Sequence, residues 1–234
     1  MASSVEFARL AMAGSAWFLL HALVAGSALR LALVRLVGDK AYRAGFSVAS
    51  LAGLWWLIFE YGHAPYRALW ATPRALYFVP VLMLPWAFVL LVGAFTAPSP
   101  TALGGEKFLA TPAHGVLRVT RHPFLWAVVL WSLAHLLVNA DAGSWLFFGS
   151  LGLTALRGSF DIDRKRRRTH PLQFAPFEAE TSNVPFVAVI AGRNRLVPRE
   201  LWLPLLLGLA LALGAVGLHP HVFAGTSAVP ALHG

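Results

Sequence analysis

The chain has 234 residues, 58% of them hydrophobic and only 12% charged, with a mean hydropathy of +0.65; soluble domains carry about 25% charged residues, so a water-soluble core is excluded. A net charge of +9 would suit nucleic acid, but the basic residues sit between apolar runs rather than along one polar face. The expected partner is therefore a bilayer with anionic headgroups and not nucleic acid, and the lack of any cysteine excludes disulfides, a thiolate nucleophile and cysteine metal ligation.

Uncharged runs lie at about 10–33, 44–62, 75–97, 123–140, 142–160 and 201–220. Each approaches the ~20 residues of a crossing helix, and none alternates with the period of a barrel strand. The expected fold is an all-α, polytopic transmembrane helical bundle of about six spans, forming one domain over residues 1–220. The first run, Ala11 to Leu29, ends in Arg30 and Arg35 without a cleavage motif and is expected to stay as the first span. Only a tight link around Asp141 and Gly143 separates the fourth and fifth runs, which predicts an antiparallel hairpin.

The segments 30–44, 98–122 and 161–200 hold most of the Lys and Arg, whereas the opposite side holds only Arg9, Arg67 and Arg74. The positive-inside rule then places the basic loops in the cytoplasm and both termini in the periplasm of a bacterial inner (cytoplasmic) membrane. The 161–200 loop opens with Asp161, Asp163 and the run Arg164 to Arg168, read as a stop-transfer cluster facing lipid headgroups. Within it, Asn183 to Gly192 is too short to cross and is expected to pack against the cytoplasmic face of the bundle. Residues 221–234 form a loose tail of small residues and Pro.

His21 and His135 fall inside spans, where an ionisable side chain is a functional candidate. Counting from span ends puts His21 ~16 Å and His135 ~12 Å from the outer surface of a ~30 Å core. Two histidines at matching depth can serve as the axial ligands of a haem, share another metal or form a proton path; the alternative is structural hydrogen bonding. Gly14, Ala25 and Ala28 share the face of His21 and leave room for a flat group, or simply for helix packing. Asn139, one turn from His135, is a candidate to orient its imidazole. His122 lies 13 residues from His135, ~20 Å along the helix, too far to share an iron. Arg121 and His122 precede Pro123 at a helix start. They form either an interfacial pair or a cytoplasmic-face clamp for a carboxylate or phosphate.

These stretches carry a resemblance. His21 to Arg30, Gly38 to Ser50, Arg121 to Pro123, Trp131 to His135 and Thr181 to Ala188, in this order over about residues 15 to 195, resemble the NnrU family of integral membrane proteins. The resemblance implies a link to bacterial denitrification, through nitrite and nitric oxide reductase. The zeta-carotene isomerases are similar to this family and use haem b, with ligand histidines matching His21 and His135; the resemblance thus implies haem b here. Those isomerases have a cysteine three residues before the second ligand, where this chain has Ser132, and a hydroxyl is a poor replacement for a thiolate. Arg121 to Pro123 also looks like an element of isoprenylcysteine-type membrane methyltransferases, without their paired glutamates.

The sequence thus supports a haem b protein supporting denitrification with other membrane or redox proteins as partners. It also supports a haem-dependent carotenoid cis–trans isomerase, a cofactor-free assembly partner and, as a minor reading, a membrane methyltransferase.

Overall fold

A computed structural model describes residues 2–25, 28–102 and 104–222. Long apolar runs with internally satisfied backbones form helices here, and among the described residues no strand appears beyond one isolated bridge between Ala68 and Asp141. Helix α1 (Ala2–Leu19) continues through a π-helical turn (Leu20–Ala25) towards α2 (Ala28–Val37). Then come α3 (Asp39–His63), α4 (Val79–Thr96), α5 (Pro123–Asn139) and α6 (Ala142–Thr169). Two short helices, α7 (Pro171–Glu180) and α8 (Val187–Ile190), precede the long α9 (Pro198–Val222). The protein is a helical membrane protein. Four segments, Ser4–Val24, Asp39–His63, Arg74–Thr96 and Pro198–Val222, are long and apolar enough to cross. Helix α5 is a shorter apolar helix, and α6 carries its first charge only at Arg157.

The helices pack in a row, α9 on α4, α4 on α5, α5 on α6, α6 on α1 and α1 on α3. Large side chains such as Leu36, Phe95 and Leu213 are exposed, the arrangement expected where hydrocarbon is the solvent. The predicted hairpin between α5 and α6 is present. Ala140 turns the chain with φ 49, and the Asp141 side chain caps α6 by accepting from the Ser144 amide.

Close helix approach depends on glycine at two crossings. A Cβ on Gly208 of α9 would lie 2.6 Å from the Val89 Cα of α4, and one on Gly152 of α6 would lie 3.0 Å from the Ser132 Cβ of α5. Gly208→Leu is expected to force α4 and α9 apart, with an overpacking cost of about 1–3 kcal/mol. Thermal unfolding in detergent checks this, and an unchanged midpoint would show that the crossing yields freely.

The span boundaries correct one expectation. The first span starts near Ser4 rather than near residue 10, so His21 lies much nearer its C-terminal end than the count assumed. The 161–200 segment is also not an open loop, because α6 runs on as a helix to Thr169. Its basic run includes Arg166, 3% exposed and paired with Glu106, and Arg167, paired with Glu178. The Asn183 to Gly192 stretch packs on the bundle end as expected, with Phe186 N–H donating to the Val119 carbonyl. The small-residue face around Ala25 and Ala28 and the tail from 223 to 234 lie outside the described residues or side chains.

Candidate functional site

An apolar cavity of about 680 Å³ lies where α1, α3, α5 and α6 meet. Helices α1 and α5 both pack along α6 and leave a groove between them. Its lining on α6 runs from Phe147 to Lys165, ~27 Å at 1.5 Å per residue. Trp17, Phe18, Leu54, Ile58, Val128 and Trp131 supply much of the wall. His21 is in that wall, and the polar lining otherwise consists of Thr154, Arg157, Asp161 and Lys165.

His21 sits on the π-helical turn, a local widening that often marks functional positions. Its Nδ1 is 2.8 Å from the Trp17 carbonyl, which fixes the ring with Nδ1–H as donor and leaves Nε2 free as a ligating atom. His135 has the same arrangement, with Nδ1 2.8 Å from the Trp131 carbonyl. The exposed His63 repeats it with the Phe59 carbonyl, so the bond alone does not mark a ligand. Only His21 among the three also lines the cavity.

The two intramembrane histidines are not brought together. Gly14 of α1 lies against Leu146 and Ser150 of α6, which puts His21, seven residues on, level with about residues 155 to 157. His135 stacks on Phe148, ring centroids 4.4 Å apart. The offset is about seven to nine residues of helix, ~10–13 Å. The matching depth expected from span counts therefore fails, because the first span begins further out. Asn139 does not orient His135 either; it donates to Ser144 Oγ, which is also bonded to Tyr61. Ser132 is 1% exposed with an unpartnered Oγ. It lines a separate groove with Gly14, Ser15 and Ser150, away from His21.

Haem, implied by the resemblance, fits the residues of the cavity in one respect and not in another. His21 offers a prepared imidazole, and Trp17 beside it has a buried indole N–H without an acceptor, a donor that a bound group can satisfy. His135 is outside the wall, held by Phe148 and Trp131.

Arg121 and His122 form a second constellation, at the end of α5. Both are buried, and both are engaged by the protein itself. Arg121 Nε lies 3.0 Å from each carboxylate oxygen of Asp163, and Nη1 donates to the Thr181 carbonyl at 3.1 Å. His122 Nε2 meets Asp163 Oδ1 at 2.7 Å. Asn183 Nδ2 also donates to Asp163, while Asn183 Oδ1 accepts from Ser159 and from the Trp126 indole. The expected ligand clamp is thus an internal knot joining α5, α6, α7 and the Thr181 to Asn183 loop. Burial outweighs the pull of Asp163 and holds His122 below the ordinary imidazole value; facing a carboxylate, Nε2–H is the donor. Burial alone would raise Asp163; the His122 and Arg121 bonds together overcome it and lower its pKa to about 2. Asp163 and Asn183 were not singled out from sequence, because one sits in a charge run and the other in a polar turn.

The family model described as NnrU protein matches residues 9–227. The chain is 36% identical over 115 residues to the protein named 15-cis-zeta-carotene isomerase, chloroplastic, of Arabidopsis thaliana, a match covering 45% of this chain and 30% of that protein. It is 32% identical over 123 residues to the protein of the same name from Zea mays, covering 50% of this chain and 33% of that one. The match spans about a third of the length of these relatives. No solved structure matches.

Proposed function

Because the chain belongs to the NnrU family, we propose that it is a haem b membrane protein acting on an extended polyene by cis–trans isomerisation. The observation that carries this reading is the long apolar cavity with His21 in its wall. Hydrophobic walls with one prepared imidazole suit an apolar substrate beside a metal centre. The relatives named as 15-cis-zeta-carotene isomerases support the substrate class.

In this reading His21 would hold the iron, while His135, ~10–13 Å away along the bundle and outside the wall, is not placed to share it. Bound there, haem b supplies a one-electron redox centre beside the chain. The protein supplies the rest. Trp17 fixes the His21 ring through its carbonyl, while Leu54, Ile58 and Val128 exclude water and align the chain. The test is incubation of haem-loaded protein with 15-cis-zeta-carotene, following isomer composition by chromatography. Conversion that disappears in His21→Ala is expected, and no conversion by pigmented wild-type protein overturns the isomerase reading.

Family membership carries a second proposal, support of nitrite and nitric oxide reduction, which growth of a deletion strain on nitrate tests. The proposed setting is a bacterial inner membrane with both termini periplasmic, because the basic segments alternate with nearly uncharged ones. A reporter fused after Gly234 is expected to act as periplasmic; a cytoplasmic signal from it would reverse the topology.

A further inference from the structure

The cytoplasmic end of the cavity carries a cation with no directly bonded carboxylate among the described residues; Glu106 acts on it only at a distance. Lys165 lines the cavity and is half-buried, yet among the described residues its ammonium makes no hydrogen bond or ion pair. The carboxylates around it are all engaged by other cations. Asp161 is held by Arg157 at 3.2 Å and Arg164 at 3.0 Å, Glu106 by Arg166 at 2.7 Å, and Asp39 by Arg30 and Arg43. Burial, with repulsion from Arg30, Arg166 and Arg43, outweighs the attraction of Glu106 and holds the ammonium below the ordinary lysine value. A partly buried cation at the end of an apolar cavity is costly unless an anion meets it.

Resting on the haem reading above, we propose that Lys165 is the anion-binding end of this cavity and receives a propionate carboxylate of haem b. The placement agrees with the rest of the wall. His21 is level with about residues 155 to 157 of α6, so Lys165 lies some eight to ten residues further along the same wall, ~12–15 Å. A porphyrin's half-width, its propionate arm and a four-carbon lysine stem bridge such a gap together. The apolar stretch beyond His21, towards Trp131 and Phe147, offers no cation. The polar edge of the macrocycle is thereby directed to the cytoplasmic end and its vinyl edge into the bundle.

The test compares protohaem with its dimethyl ester, which keeps the iron and the ring but has no carboxylate charge. Full-length protein in detergent is loaded with each, and haem loss to excess apomyoglobin is followed by absorbance. Wild-type protein is expected to release protohaem about tenfold more slowly than the ester, the range of one charge-assisted hydrogen bond. Lys165→Gln removes that difference and Lys165→Arg restores most of it, whereas Arg168→Gln, an exposed charge on the same helix, leaves it intact. Equal release of the two haems by wild-type protein, or a Lys165→Gln variant that still discriminates between them, overturns the inference alone. Failure of wild-type protein to take up either haem overturns the haem reading itself.

Discussion

Asp163→Ala is expected to be among the most destabilising single substitutions in this protein, at about 3–5 kcal/mol, because it strips the nearer of two carboxylates from a buried arginine and leaves it Glu178 at 3.4 Å. The Asp163 side chain is 3% exposed and that of Arg121 is 7% exposed, so water cannot replace the carboxylate. The loss spreads beyond one pair, since Asp163 also receives His122 and Asn183, which fasten α5 and the Thr181 to Asn183 loop to α6. Paired replacement by Arg121→Met with Asp163→Leu is expected to cost less than Asp163→Ala, as the uncompensated charge is then gone. Thermal unfolding in detergent checks both, and an Asp163→Ala midpoint equal to wild type would show that the knot contributes nothing. The pH dependence has a definite sign. The pKa of Asp163 is lowered in the folded protein to about 2, against an unfolded value of about 3.9. Its contribution is therefore complete above about pH 4 and is withdrawn as pH falls towards 2.

His21→Ala is expected to abolish retention of haem b, leaving the purified protein colourless after expression with ample haem. Haem b has no covalent attachment, and His21 is the one histidine in the cavity wall among the described residues. His135→Ala is expected to keep both the pigment and its spectrum, because His135 lies outside the cavity wall and ~10–13 Å from the level of His21. His122→Ala is expected to leave the spectrum unchanged, because its imidazole is occupied by Asp163; its effect falls on stability. Colourless wild-type protein, or a His21→Ala variant with the wild-type spectrum, would sink the ligand assignment. A His135→Ala spectrum that differs from wild type would put that residue on the iron and overturn the separation of the two histidines.

Much of the architecture was legible from residue order. The apolar runs are helices, Asp141 marks the turn between α5 and α6, and the stretch after Asn183 packs on the end of the bundle rather than crossing it. Where the reading from sequence missed, the cause was a quantity that linear order does not contain. Depth was estimated by counting from presumed span ends, and an error of six residues at the start of α1 moved His21 ~9 Å. Asn139 has the right spacing to reach His135, but the closer hydroxyl of Ser144 comes from the next helix. The run Arg164 to Arg168 looked like one solvated cluster; on a helix those residues point in different directions, so Arg166 is buried on Glu106 while Arg168 remains exposed.

By itself, the sequence determined that this chain lives in a bilayer as helices, because 58% apolar residues in long uncharged runs have no other stable solution. It also marked His21 as a candidate, since an ionisable group inside a span is costly without a role. Which donors share a cavity was decided only by tertiary structure. Helix register is set by close packing at Gly14, Gly152 and Gly208, and a shift of one turn there re-sorts every side chain across the interface. That packing placed His21 and Lys165 on one apolar wall, turned Ser132 towards another groove, and closed Arg121 and His122 around Asp163.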